Sequence, residues 1–177
     1  MTTTVILLRG VMPSGRNKIS MPRLRDVLGS AGFSSTRTYI QSGNVLVDSH
    51  LPPAEIEKTI HDLIRDHLGA DLTAIALTGE ELRAILDGNP FTAGYDRSRV
   101  FFIVFARPPQ KERMEELLSR DYSPEHLVFG DQAAYLYIPG PYGKGTLSAG
   151  FLEKGLGVMA TMRNFNTITR LVAMSRE

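Results

Sequence analysis

Cysteine is absent from the chain. That removes disulfides, thiolate nucleophiles and cysteine-ligated zinc together, and it leaves the redox compartment open. Long apolar runs are missing too. The longest, Val100 to Ala106, is seven residues, against the roughly 20 that a membrane-spanning helix needs, so no membrane role is expected. Val5-Ile6-Leu7-Leu8 has no basic leader before it and no adequate h-region, so it does not read as a signal peptide. A cytoplasmic address is the default expectation. Catalytic signatures are also lacking: there is no G-x-S-x-G and no H-E-x-x-H. The four histidines are scattered. His61 and His67 share a predicted helix, but their spacing puts them on different faces, so no metal is expected. Glu80-Glu81 and Glu115-Glu116 are adjacent carboxylates, which diverge on a helix and read as solvated faces.

What is present is ordinary in bulk and uneven in charge. With 177 residues the chain has room for one compact domain or two small ones sharing a core. An apolar share of 42% and a charged share of 22% place it among globular proteins. The net charge of +1 conceals +5 over residues 1–47, −7 over 48–137 and +3 over 138–177. If the two basic segments meet, they make a local positive field suited to an anion. Arg23, Arg25, Arg170 and Arg176 read instead as solvated helix-face charges.

Two dense polar motifs lie in that positive territory: Arg37-Thr38-Tyr39-Ile40-Gln41-Ser42-Gly43-Asn44 and Arg163-Asn164-Phe165-Asn166-Thr167. Each sets an arginine, carboxamides and hydroxyls beside an apolar segment, more hydrogen-bonding capacity than a turn needs. A third polar stretch, Arg9 to Lys18, follows the first predicted strand, with Arg16 and Lys18 flanking Asn17.

Periodicity orders the elements. Thr3–Leu8 reads as a strand. Met21, Leu24, Val27, Leu28 and Ala31 recur at helical spacing behind a Ser20 cap, with Gly29 and Gly32 ending the helix. Thr36–Ile40 and Val45–Asp48 form a predicted hairpin. Pro52-Pro53 opens a helix with an Ile56, Ile60, Leu63, Ile64 and Leu68 stripe, and Leu72–Leu77 closes as a strand. Thr78-Gly79-Glu80-Glu81 has capping-box spacing for a further helix. After a turn-rich stretch, Gly88 to Gly94, the order repeats: strand Arg99–Ala106, helix with Met114, Leu117 and Leu118, strands Glu125–Phe129 and Ala133–Ile138, helix Leu147–Lys154, strand Gly157–Met162 and helix Phe165–Met174. Arg163 and Asn164 are therefore expected at the start of the last helix, where free amides and the dipole favour anions. The expected fold is α+β, two tandem ferredoxin-like βαββαβ-plus-helix halves packed together, over residues 1–88 and 97–177.

The loop Gly140-Pro141-Tyr142-Gly143-Lys144-Gly145-Thr146 invites a phosphate reading, but its register fails both named motifs. A Walker A loop needs glycine where Ile138 stands and a hydroxyl where Gly145 stands. A dinucleotide fingerprint needs glycine or alanine where Ser148 stands. What remains is a glycine loop with one lysine, leading into a helix whose first amides are open to an anion.

Leu7-Leu8-Arg9-Gly10, Asn17-Lys18 with Met21, the eight residues Arg37–Asn44 and the closing Arg163–Thr167 resemble the signatures of the bacterial family of unknown function numbered 1697. The resemblance implies a cytoplasmic α+β protein with two plait-like halves and brings no established activity. It also marks departures. The family usually continues Arg-Gly-Ile-Asn-Val-Gly-Gly-Lys-Asn, where this chain has Met12, Pro13 and Ser14 in the loop. The late loop usually reads Gly-Arg-Ser-Lys-Leu, where this chain has Gly143-Lys144-Gly145-Thr146-Leu147 and loses one basic residue. Met162 and Phe165 stand where threonine and tryptophan are usual.

The leading expectation is a binding module for a phosphate-bearing or other anionic ligand, with no cofactor and no metal. Arg9, Arg16, Asn17, Lys18, Arg37, Tyr39, Gln41, Ser42, Asn44, Lys144, Arg163, Asn164 and Asn166 would surround it. Arginine's planar fork suits carboxylate and phosphate. Nucleic acid is a less favoured partner, because the RNA-recognition aromatic pattern is missing and Val100–Phe105 reads as core. Two alternatives stay open: a structural or protein-interaction role in which the polar motifs hold the halves together, and a small-molecule enzyme. The motifs contain no histidine or carboxylate to act as a base, which weighs against the enzyme. Oligomeric state is not legible.

Overall fold

The β-branched run Thr2-Thr3-Thr4-Val5-Ile6 suits a pleated, half-buried surface, and it opens β1 (Thr2–Arg9). In a computed structural model that describes residues 1–177, β1 lies inside a four-stranded antiparallel sheet. Its partners are β2 (Ser34–Tyr39), β3 (Asn44–Ser49) and β4 (Thr73–Thr78), in the order β2-β3-β1-β4. Between them run α1 (Met21–Ser30) and α2 (Pro53–Leu68). Ser20 caps α1 by accepting the Arg23 amide, as its spacing predicts. Gly29, expected to end α1, lies inside its last turn, and the chain leaves the helix at Ala31. Ile6, Leu8, Val45 and Val47 form one core with Leu24, Leu28, Ile56, Ile60 and Ile64. Burying each such side chain stabilises by roughly 1.5–3 kcal/mol. The alternate residues of the sheet, Val5, Leu7, Leu46 and Ile75, are buried as well.

Across β1 and β3, Thr3 Oγ1 donates to Asp48 Oδ1 at 2.7 Å. That bond, opposed in part by burial, holds the Asp48 carboxyl below its ordinary 3.8. A lowered carboxyl stabilises the fold above its unfolded pKa, and the contribution is lost as pH falls through the folded value. Asp48→Asn should therefore unfold more easily than the native chain at neutral pH, by under about 1 kcal/mol given solvent screening. The gap should shrink as pH falls below the ordinary 3.8, read from urea midpoints across the range.

After β4, Thr78 and Glu81 exchange bonds as a capping box: Glu81 Oε2 accepts the Thr78 amide at 2.8 Å, and Thr78 Oγ1 accepts the Glu81 amide at 3.1 Å. This starts α3 (Gly79–Asp87). The element order then repeats: β5 (Val100–Phe105), α4 (Lys111–Leu118), β6 (His126–Phe129), β7 (Ala133–Tyr137), α5 (Ala149–Leu156) and β8 (Ala160–Asn164), followed by α6 (Phe165–Met174). The second sheet is antiparallel in the order β6-β7-β5-β8. The protein is thus α+β, with two four-stranded antiparallel sheets and six α-helices. Its compact units are Met1–Arg83 with Leu171–Glu177, and Ala84–Arg170.

In the second unit Ile103, Leu136, Leu117, Leu152 and Leu156 form the core. Three expectations are corrected there. Leu118 is 49% exposed, because the short α4 presents a single buried position, Leu117. α5 starts at Ala149, since Ser148 is its cap and accepts the Phe151 amide. β8 runs on to Asn164, so Arg163 is a strand residue paired in register with Phe102.

Candidate functional site

The loop between β1 and α1 is a pinned structure. Asn17 Nδ2 donates to the Asp71 carbonyl at 3.2 Å, and its Oδ1 accepts the Asp71 amide at 3.1 Å. Within the loop the Met12 amide donates to the Asn17 carbonyl and the Lys18 amide to the Gly15 carbonyl. From the hairpin turn, Gln41 Nε2 donates to the Ile19 carbonyl at 2.6 Å. Arg16 Nε donates to the Gly69 carbonyl at 3.3 Å, and Arg23 Nη2 to the His67 carbonyl at 3.1 Å. These two arginines therefore serve the carbonyl end of α2, where the helix dipole favours cations. Lys18 is exposed, and Arg9, half-buried, pairs in register with Thr73.

The hairpin motif turns inward more than outward. Asn44 is fully buried, and its Nδ2 donates to the Tyr39 carbonyl at 2.9 Å and to Ser42 Oγ at 3.1 Å. It locks the turn between β2 and β3. Tyr39 is half-buried opposite Asn44, while Gln41 and Ser42 are exposed. Arg37 Nη1 donates to the Met174 carbonyl at 2.8 Å and lies 3.8 Å from Glu177 Oε2. Its Nε is buried without a partner. On the other side of β2, Arg25 donates to Thr38 Oγ1. The first unit thus brings Arg16, Asn17, Lys18, Gln41, Ser42 and Asn44 to one end of its sheet, with Arg37 committed to the C-terminal segment.

The second unit holds Lys144, Arg163, Asn164 and Asn166. Its glycine loop is filled from within: Glu125 Oε2 accepts the Thr146 amide at 2.9 Å and the Leu147 amide at 3.0 Å. The amides expected to be open to an anion already hold the protein's own carboxylate. Lys144 is exposed on that loop. Arg163, expected at a helix start, is buried on β8, where its Nη1 donates to Thr161 Oγ1 at 2.7 Å and to the Met162 carbonyl at 2.9 Å. Burial pushes the guanidinium down to about 10, which leaves it charged at neutral pH. Asn164 Oδ1 accepts the Thr167 amide at 2.9 Å and so caps α6 itself. Asn166 is exposed in the first turn of α6.

Cavities also occur outside the polar motifs, and two of them matter here. One, about 620 Å³, lies in the first unit between Thr2, Thr78, Arg83, Ser175 and Arg176. Its Thr78 and Ser175 hydroxyls already donate to Glu81 Oε2 and to the Val172 carbonyl. The other, about 430 Å³, lies in the second unit beside β6 and includes Phe91, Tyr95, His126 and Glu125. Sequence reading treats Gly88–Gly94 as a boundary and gives Phe91 and Glu125 no site role. The available signal was the acidic balance of residues 48–137. No three His, Asp or Glu side chains gather as a metal site, and no helix is long and apolar enough to cross a membrane.

A family model described as "Protein of unknown function (DUF1697)" matches residues 1–135. The chain belongs to DUF1697. The matched span takes in the β1–α1 loop, the hairpin motif and Glu125, and ends before the glycine loop and Arg163. No curated protein matches this DUF1697 chain. Among solved structures it is similar to the conserved bacterial protein SP0830 from Streptococcus pneumoniae, at 22% identity and a TM-score of 0.79. That likeness covers 100% of this chain and 99% of the other, and at this identity it speaks for the fold.

Proposed function

We propose that this DUF1697 member is a binding module for a small anionic, phosphate-bearing ligand taken at the β1–α1 loop. The observation behind it is the pinning, by Asn17 and Gln41, of the segment that carries Arg16 and Lys18. No acidic side chain occurs between Arg9 and Arg25. A loop already ordered loses little freedom on binding, and each charge-assisted hydrogen bond contributes roughly 1.5–3 kcal/mol. Two or three such bonds support affinities no tighter than about micromolar. In this reading each half is a ferredoxin-like plait, residues 1–88 and 97–177, each with the strand order that plait requires, and the protein works in the cytoplasm.

A second reading is favoured by a specific set of bonds. Arg37, Asn44, Arg163 and Asn164 all spend hydrogen bonds on nearby protein groups. On that basis the two polar motifs are framework, and the ligand is met by the exposed cations alone. One experiment separates the readings: thermal unfolding of the native chain, Lys18→Ala and Arg37→Ala against inorganic pyrophosphate, nucleotides and sugar phosphates. A ligand near 100 times its dissociation constant should add about 2.7 kcal/mol to the native chain. Loss of that gain in Lys18→Ala, with Arg37→Ala still responding from a lower baseline, supports an anion site on a structural frame. No response to any ligand leaves the framework role standing alone.

A further inference from the structure

We propose that the cavity beside β6 binds a small organic cation, an ammonium carried on an apolar or aromatic body. Its lining combines ring surface with a negative balance of charge. Phe91 and Tyr95 lie 5.0 Å apart between centroids, edge to face, and His126 stands 6.2 and 6.3 Å from them. Tyr137 braces the group from behind at 4.8 Å from Tyr95. Neither Tyr95 nor His126 spends its polar ring atoms on another protein group. Aromatic faces attract cations through their quadrupole, more strongly where water is excluded.

The charges agree in sign. Asp121 and Glu125 both line the cavity, and Arg120 is its only cation. Arg120 Nη2 is committed to Glu116 Oε1 at 2.7 Å, so its charge is already matched. Asp121 Oδ1 accepts the Ser123 hydroxyl at 2.7 Å and amide at 2.9 Å, which keeps it ionised. Glu125 is 9% exposed; its Oε2 takes two amides and its Oε1 none. An anion would face that negative balance here, whereas an ammonium would be drawn to it and to the Tyr95 and His126 rings, against which the buried Phe91 packs. The anion loop lies in the other compact unit, so this inference stands or falls independently of it.

The test is a titration of the full chain at pH 7.5, following the aromatic proton signals of Tyr95 and His126. The probes share one body: phenethylammonium, 2-phenylethanol and phenylacetate. The ammonium should give saturable shifts at both residues and bind about tenfold or more tightly than the alcohol, with no saturable response to phenylacetate. Tyr95→Ala and Asp121→Asn, both at exposed positions, should each weaken the ammonium at least about threefold. Equal affinity for amine and alcohol, tighter binding of phenylacetate, or ammonium binding unchanged in both variants would each overturn the proposal.

Discussion

Replacing Glu125 with alanine is expected to destabilise the protein by about 2–4 kcal/mol. Its Oε2 accepts the Thr146 and Leu147 amides at 2.9 and 3.0 Å. Leu147 is 2% exposed, so its amide has no ready water to turn to. A donor orphaned in this way costs roughly 1–3 kcal/mol, and the Thr146 amide, on an exposed residue, loses its partner as well at the smaller cost of a solvent-accessible bond. Glutamine keeps a carbonyl acceptor without the charge, so Glu125→Gln should lose about half as much. Gly145 provides an independent check. A Cβ there would stand 1.8 Å from Glu125 Oε1, so Gly145→Ala must evict the carboxylate and lose the same bonds. The double variant should then be little worse than either single one, a coupling measured by urea midpoints in a double-mutant cycle. Additive losses, or an alanine loss under about 0.5 kcal/mol, would show that the loop holds its shape without the clamp.

Gly43→Ala should cost about 2–5 kcal/mol for a different reason. Gly43 has φ +88°, where an L side chain is strained by roughly 1–2 kcal/mol. Its Cβ would also lie 2.7 Å from Val11 Cγ2 and 2.8 Å from Leu8 Cβ. Leu8 is 1% exposed and donates its amide to the Gly43 carbonyl at 2.8 Å, so it cannot retreat cheaply. Overpacking of this kind adds roughly 1–3 kcal/mol. Gly69→Ala is the matched control. Its φ is +68° with nothing within 4 Å of a Cβ, so it should lose about 1 kcal/mol from strain alone. Thermal or urea unfolding of both variants separates crowding from backbone strain; equal losses would remove the packing argument.

These losses fall on residues whose roles were unevenly legible. Ser20 was readable as a cap, and Thr78–Glu81 as a capping box, because each partner lies within four residues of the other. Ile56, Ile60 and Ile64 declared their helix face through spacing alone. Arg163 was misplaced because Met162, Arg163 and Asn164 have no local signal that favours helix start over strand end. Pairing with Phe101 and Phe102, some sixty residues earlier, decided for strand. That choice buried the guanidinium and left Asn164 to cap the helix.

The polar motifs were visible as hydrogen-bonding capacity, but the direction of their bonds was not. Asn17 meets Asp71 54 residues away, Arg37 meets Met174 137 away, and Glu125 meets Thr146 21 away. The same holds for the cavity beside β6, where Phe91, Tyr95 and His126 meet only after β6 and the preceding turn fold together. By itself the sequence determined the order of strands and helices, their buried faces and the uneven charge, since periodicity and capping act over a few residues. Only the tertiary structure decided which polar groups face each other and which face water. Those pairings follow from strand order and sheet register, which bring together residues that no local pattern connects.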